Sequence, residues 1–157
     1  MTETARKRPE FRNLNVFKDL TTYWLPWAAK VSILHRISGV LMILLLPFII
    51  WLFDKSISSE VSFMQFTAAF EHGIWVFPAF FVKLVVLGLI WAYMHHFCAG
   101  IRHIYMELTH SLSKDFGRRS AITVLAISLT LTTLLGAKLF GLVWLGLRSA
   151  ISPTSIL

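Results

Sequence analysis

Three long apolar stretches divide this chain of 157 residues, and each is long enough to cross a membrane as a helix. A hydrocarbon core takes roughly 20 helical residues, and the sequence has no fourth stretch of that length. The predicted organisation is an amino-terminal segment at 1–26, spans at 27–53, 73–103 and 120–147, loops at 54–72 and 104–119, and a tail at 148–157. The pattern therefore predicts an all-α integral membrane protein with three transmembrane helices.

The composition fits a membrane protein and reduces the number of possible function classes. Hydrophobic residues make up 56% of the chain and the mean hydropathy is +0.68, whereas soluble domains use about 45–50% apolar residues. No segment outside the spans is long enough for a soluble catalytic domain, so chemistry in water needs a partner protein. A proton-coupled transporter is disfavoured because it would need carboxylates inside the bilayer. The acidic residues all lie outside the spans: Glu3, Glu10, Asp19, Asp54, Glu60, Glu71, Glu107 and Asp115.

Positive charge is concentrated on one side of the predicted spans. The basic residues that precede or open the first span, or lie near the second loop, are Arg6, Lys7, Arg8, Arg12, Lys18, Lys30, Arg36, Arg102, Lys114, Arg118 and Arg119. Because loops rich in Lys and Arg stay cytoplasmic, the amino terminus is predicted inside and the carboxy terminus outside. The isoelectric point near 10.0 reflects this excess of basic residues, which favours contact with anionic lipid. No nucleic-acid partner is expected, since the sequence has no recognition motif for one.

The second span carries three histidines, which a bilayer accepts only when they have partners or a function. His96, Gly100 and His103 share one face, because residues seven apart return to within about 20° of each other. His95 is rotated from that face by about 100°. A histidine with a glycine one turn along suits an axial haem ligand, since the missing side chain leaves room for the porphyrin. His103 would approach the iron from the same side, so the opposite ligand must come from another helix or another chain.

Spacing alone leaves other interpretations of this face open. A packed, hydrogen-bonded histidine or a proton-handling one would follow the same pattern. The sequence has no Cys-x-x-Cys-His motif, so any haem should be b-type or similar.

The start of the first span carries a second polar group of residues. Ser32, His35, Arg36 and Gly39 fall on one helical stripe at the predicted cytoplasmic end. A hydroxyl and a guanidinium one turn apart can both donate to a carbonyl oxygen, which is how a pocket for a quinone head group would be built. The simpler interpretation is that Arg36 extends to the membrane interface.

Two runs of sequence resemble the cytochrome b556 subunit of succinate dehydrogenase. They are Ser-Ile-Leu-His-Arg-Ile-Ser-Gly at 32–39 and His-x-x-x-Gly-Ile-Arg-His at 96–103, and the likeness also takes in 8–9, 80–83 and 119–120. The resemblance implies a bacterial inner-membrane subunit that forms half of a heterodimeric helix bundle with a second three-helix anchor. In that family the two anchors share one haem b and dock a flavoprotein and an iron–sulfur protein, which carry the oxidation of succinate.

The resemblance also implies roles for single residues. His96 is the expected axial ligand, with His95 as the fallback, and the second ligand is a histidine of the other anchor. The haem propionates are expected near His35, His103 and, less directly, Arg102, while Ser32 and Arg36 are expected to line the ubiquinone pocket. A fumarate reductase-type anchor that oxidises quinol, a haem-free structural anchor and, last, a small transporter are the alternatives.

Overall fold

The computed structural model describes residues 24–111 and 113–141, together with Asn15. Within these ranges the chain forms helices α1 (Trp27–Leu44), α2 (Leu46–Ile57), α3 (Glu60–Glu71), α4 (Ala79–Thr109) and α5 (Lys114–Leu139), and no strand. Three of them, α1, α4 and α5, are long and apolar enough to cross a membrane. The predicted all-α class with three apolar spans is therefore confirmed.

Several predictions fall outside the described residues. They concern the amino-terminal segment up to residue 23 apart from Asn15, the end of the third span at 142–147, and the tail at 148–157. The placement of the termini across the membrane and the pairing with a second anchor remain predictions.

The predicted first span at 27–53 consists of two helices rather than one. Helix α1 ends at Leu44 and α2 begins at Leu46, with Pro47 in the first turn of α2. Proline has no backbone N–H, and its ring clashes with the carbonyl four residues earlier in a continuous helix. The chain therefore breaks at Leu45, although Leu45 still donates its N–H to the Leu41 carbonyl at 3.0 Å.

The loop predicted at 54–72 is largely helical. Helix α2 continues to Ile57, and α3 begins after Ser59, which forms a capping box with Ser62. The Ser59 hydroxyl accepts from the Ser62 N–H at 3.1 Å, and the Ser62 hydroxyl accepts from the Ser59 N–H at 2.8 Å. These bonds satisfy two backbone donors that a helix start leaves unpaired.

Helix α4 begins at Ala79 rather than at the predicted residue 73, because residues 73–78 form a tight turn. Ile74 and Phe77 exchange backbone hydrogen bonds of 2.9 Å in both directions. Gly73 has a φ of +99°, and a Cβ there would lie 2.2 Å from the Phe77 carbonyl oxygen, so only glycine fits. Pro78 then caps the helix with its φ already near helical values.

The connection between α4 and α5 is shorter than the predicted loop at 104–119. Helix α4 runs on to Thr109 and ends at His110, whose φ is 52°, and α5 begins at Lys114. The Ser113 hydroxyl accepts from the Phe116 N–H at 3.2 Å and so starts α5 six positions before the predicted residue 120. The basic residues of this loop therefore lie on a helix.

Small residues bring α1, α4 and α5 into contact. Membrane helices gain little from burying apolar surface against one another, so small side chains that allow close approach dominate their interfaces. The interior cluster consists of Val31 on α1, Ala99 on α4, and Ala121 and Val124 on α5. The other buried positions of α5 are Gly117, Ser128, Thr132 and Gly136.

We expect Ala121→Leu to destabilise the chain. Ala121 is fully buried where the three helices meet, and overpacking a close contact costs about 1–3 kcal/mol. The melting temperature of the chain in detergent micelles should fall. Ala126→Leu is the matched control, because Ala126 lies on the exposed face of the same helix and surface changes cost within about 0.5 kcal/mol. Equal melting temperatures for the two variants would contradict this packing.

Candidate functional site

The two adjacent histidines of α4 face different surroundings. His95 is fully buried, with Nδ1 3.4 Å from the Ser128 hydroxyl of α5 and its ring stacked on Trp91 at a centroid distance of 5.5 Å. It lies on the buried stripe formed by Ala92, His95, Ala99 and Arg102. His95 is therefore a side chain of the interior of the three-helix bundle.

His96 lies one position further round the helix and is held against α1. Its Nδ1 is 3.1 Å from the carbonyl oxygen of His35 and 3.2 Å from the Ser38 hydroxyl, which itself donates to the same carbonyl at 2.8 Å. A carbonyl can only accept, so Nδ1 carries the proton and Nε2 keeps a free lone pair. Nε2 has no hydrogen-bond partner in the described part of the chain, and it is not enclosed.

Gly39 permits the close approach of the His96 ring to α1. A Cβ on Gly39 would lie 3.0 Å from Cε1 and 3.4 Å from Nδ1 of His96, so a side chain there would push the imidazole away from α1. Gly39 and Ser38 together therefore orient the His96 ring.

Three imidazoles form a cluster at this contact. The rings of His35 and His96 stack with centroids 4.1 Å apart and planes inclined by 25°, and His103 lies 5.2 Å from His35. The Nε2 atom of His35 is buried without a hydrogen-bond partner. It lies 3.9 Å from where a Cβ on Gly100 would be. The predicted face of His96, Gly100 and His103 is thus turned toward His35.

Two of the predicted site residues, Ser32 and Arg36, lie on α1 beside His35. Arg36 follows His35 directly on α1, and its side chain is exposed. Ser32, one turn earlier on α1, is half-buried and makes no hydrogen bond within the described residues. Both side chains are therefore available to a ligand at this end of α1.

The Arg102 side chain is hydrogen-bonded to α5. It belongs to the same stripe as His95, and its Nε donates to the Ser120 hydroxyl of α5 at 2.9 Å. One Nη2 hydrogen is directed at the Gly117 carbonyl at 3.4 Å. The position one residue before His103 turns its side chain by about 100°, and the expected place of Arg102 beside the haem propionates stays a prediction.

Sequence reasoning did not identify Ser38 as a site residue. The stripe considered began at Ser32, whereas Val31, His35 and Ser38 follow one another at helical spacing and face α4. The signal in the sequence would have been that Ser38, a polar residue, lies on the same helical stripe as the apolar Val31.

The residues present fit an axially ligated haem. Metal-binding histidines usually donate their second ring N–H to a carbonyl or similar acceptor, which fixes the ring and directs the other nitrogen at the metal. His96 has this arrangement, with Nδ1 bonded and Nε2 free. The unpartnered Nε2 of His35 and the neighbouring His103 and Arg36 can serve as donors to anionic groups of the same ligand.

Three apolar spans with a histidine cluster on one flank define the class, a multi-pass membrane protein. A family model described as the succinate dehydrogenase/fumarate reductase transmembrane subunit matches residues 5–135. The chain belongs to this family, which confirms the resemblance seen in the sequence.

The names of similar proteins are consistent with this family. The chain is 36% identical to the succinate dehydrogenase cytochrome b556 subunit of Coxiella burnetii, over 75% of this chain and 90% of the relative. It is 28% identical to the subunit of the same name in Paracoccus denitrificans, over 73% and 83%. A Rickettsia felis protein of that name is 25% identical over 85% and 94%. The similarity thus covers most of each protein.

We expect His95→Ala to cost the apo chain more stability than His96→Ala. The first change leaves a cavity in the bundle and removes the partner of Ser128, and large-to-small changes in a core cost about 2–5 kcal/mol. His96 is only half-buried. The melting temperature of the haem-free chain in detergent should therefore be higher for wild type and His96→Ala than for His95→Ala. The reverse order would contradict the two environments.

Proposed function

We propose that this chain is the membrane anchor that ligates haem b through His96 and helps form the ubiquinone site of a succinate dehydrogenase. The observation that carries the proposal is the geometry of His96, whose Nδ1 is bonded to the His35 carbonyl at 3.1 Å while Nε2 stays free on the flank of the bundle. Haem b, when bound, supplies a one-electron carrier within the membrane.

His96 is a better ligand than the fallback His95. His95 is completely enclosed by the chain's own helices, so its nitrogen could reach an iron only if α1 or α5 moved. His96 is held by two contacts from α1 and presents its other nitrogen outward. Since this chain offers one such histidine, the second ligand is assigned to a histidine of the other anchor, and the haem lies between the two chains.

His35 and His103 are proposed to meet the haem propionates. A propionate accepting from the Nε2 of His35 would satisfy a buried nitrogen that has no partner in the chain itself. His103 is 5.2 Å from His35 by ring centroids, so both imidazoles can address one carboxylate group. Arg36 adds positive charge at the same end.

Ser32 and Arg36 are proposed to bind the quinone head group. They lie one turn apart on α1, at a Cβ separation of about 5–6 Å, and neither is occupied by a carboxylate within the described residues. The Ser32 hydroxyl and the guanidinium would donate to one quinone carbonyl oxygen. Arg36 would stabilise the negative charge that develops on that oxygen during reduction.

The remaining assignments concern the assembly. We propose that the chain lies in the bacterial inner membrane with its amino terminus in the cytoplasm, as the basic residues indicate. An iron–sulfur subunit and a flavoprotein subunit would dock on that side and supply electrons from succinate. The names of the relatives favour succinate oxidation over fumarate reduction as the working direction.

We expect His96→Leu to abolish the b-type absorption of the complex. The reduced-minus-oxidised optical spectrum of the complex, purified through a tag on this chain, measures it. His72→Leu is the control, because that imidazole is 81% exposed and remote from the cluster. A His96→Gly variant should regain the signal with added imidazole, which separates loss of the ligand from misfolding. A wild-type signal in an assembled His96→Leu complex would place the ligand elsewhere.

We expect Arg36→Leu to lower quinone reduction at least tenfold, since a hydrogen bond to a charged group is worth about 1.5–3 kcal/mol. Succinate oxidation by a soluble artificial acceptor should stay intact, because that reaction does not use the membrane site. Arg36→Lys should retain part of the activity by keeping the charge. Arg118→Leu, an exposed arginine on α5, is the control. Full quinone reductase activity in Arg36→Leu would rule out the role.

A further inference from the structure

An open groove lies between α4 and α5. Its volume is about 780 Å³, and its α5 wall runs from Phe116 to Leu131, which corresponds to about 20 Å along the helix. The α4 wall includes Ile101 and Tyr105, which point to the opposite side of that helix from His96 and so away from α1. The groove is thus separate from the histidine cluster.

A buried arginine without a counter-ion lines the groove. Arg102 is 6% exposed, and its described acceptors are the Ser120 hydroxyl and the Gly117 carbonyl. No carboxylate of the described residues pairs with it. A buried cation in a membrane helix is costly unless it is paired, because two neutral acceptors do not cancel its charge. The remaining guanidinium N–H groups therefore need an anion.

A second cation lies at the same end of the groove. Arg119 and Ser120 belong to its lining, whereas the neighbouring Arg118 does not. Arg119 is exposed and has no carboxylate partner within the described residues. Further along α5 the lining becomes aliphatic, with Ile127 and Leu131. The groove therefore combines a cationic end with an apolar length.

We propose that the groove between α4 and α5 binds an anionic phospholipid, with its phosphate between Arg102 and Arg119 and one acyl chain along Ile127 and Leu131. The distribution of charge supports this occupant, because one lipid molecule supplies an anion and an apolar chain in the required order. The part of the α5 wall from Ser120 to Leu131 is about 16 Å long, and half of a hydrocarbon core is about 15 Å, so the apolar length of the groove matches one leaflet. Basic pockets between helices on the cytoplasmic side commonly bind such head groups.

The test compares two lipids on the intact complex. The complex is purified in mild detergent, stripped of lipid, and titrated with phosphatidylglycerol or with phosphatidylcholine of the same acyl chains. Native mass spectrometry counts the bound lipid. Wild type should bind phosphatidylglycerol more tightly than phosphatidylcholine. Arg102→Gln and Arg119→Gln should each weaken phosphatidylglycerol binding about fivefold, and Arg118→Gln should leave it unchanged.

Two results would overturn the proposal. One is equal affinity for the two lipids, and the other is an Arg119→Gln variant that binds phosphatidylglycerol as wild type does. Because Arg119 is exposed, this variant keeps the test valid even if Arg102→Gln fails to fold.

A second measurement identifies the occupant of the groove. Phosphatidylglycerol with a photoreactive acyl chain should label peptides that contain Ile127 or Leu131. Labelling confined to partner subunits would mean that a protein segment fills the groove and would also overturn the proposal. Neither experiment depends on haem or quinone binding. A failure of the lipid proposal can therefore be told apart from a failure of the proposed function.

Discussion

Inside a bilayer no water is present to satisfy an imidazole, so a ring nitrogen needs a partner in the protein or in a bound ligand. Nδ1 of His96 finds one on the backbone of α1, at the His35 carbonyl 3.1 Å away. That contact requires α1 and α4 to approach closely, which Gly39 allows because a side chain there would collide with the ring. The direction of the free nitrogen of His96, the stacking of His35 and the position of His103 all follow from this one approach.

A one-residue step along α4 separates two environments. His95 and Arg102, seven residues apart, point into the contact with α5, whereas His96 and His103, also seven residues apart, point toward α1. The first pair contributes to the interior of the bundle and to the rim of a groove. The second pair is open to ligands on the flank. The adjacent residues His95 and His96 thus carry the same side chain but lie in different environments.

The lengths of the apolar stretches were enough to predict three spans, because hydropathy reports burial in lipid directly. The ends of the helices were not predictable in this way, since they depend on single residues such as Pro47, Gly73 and Ser113 that break or cap the backbone locally. Preference for His96 over His95 followed from its spacing to Gly100 and stays a prediction; the structure shows that His95 is fully buried and His96 is not. The surroundings of Arg102 and Ser38 could not be predicted, because a helical stripe does not say which neighbouring helix it faces.

The break at Leu45 divides the first crossing mechanically. Helix α1, before the break, carries the contacts to His96, whereas α2, after it, has no buried residue and borders an apolar cavity of about 440 Å³ against α4. Helices accommodate changes in bilayer thickness by tilting or bending. Because the helix is interrupted at Leu45, a change in the tilt of α2 need not be transmitted in full to α1. The geometry around the imidazole rings is thereby partly decoupled from thickness changes in the lipid around α2.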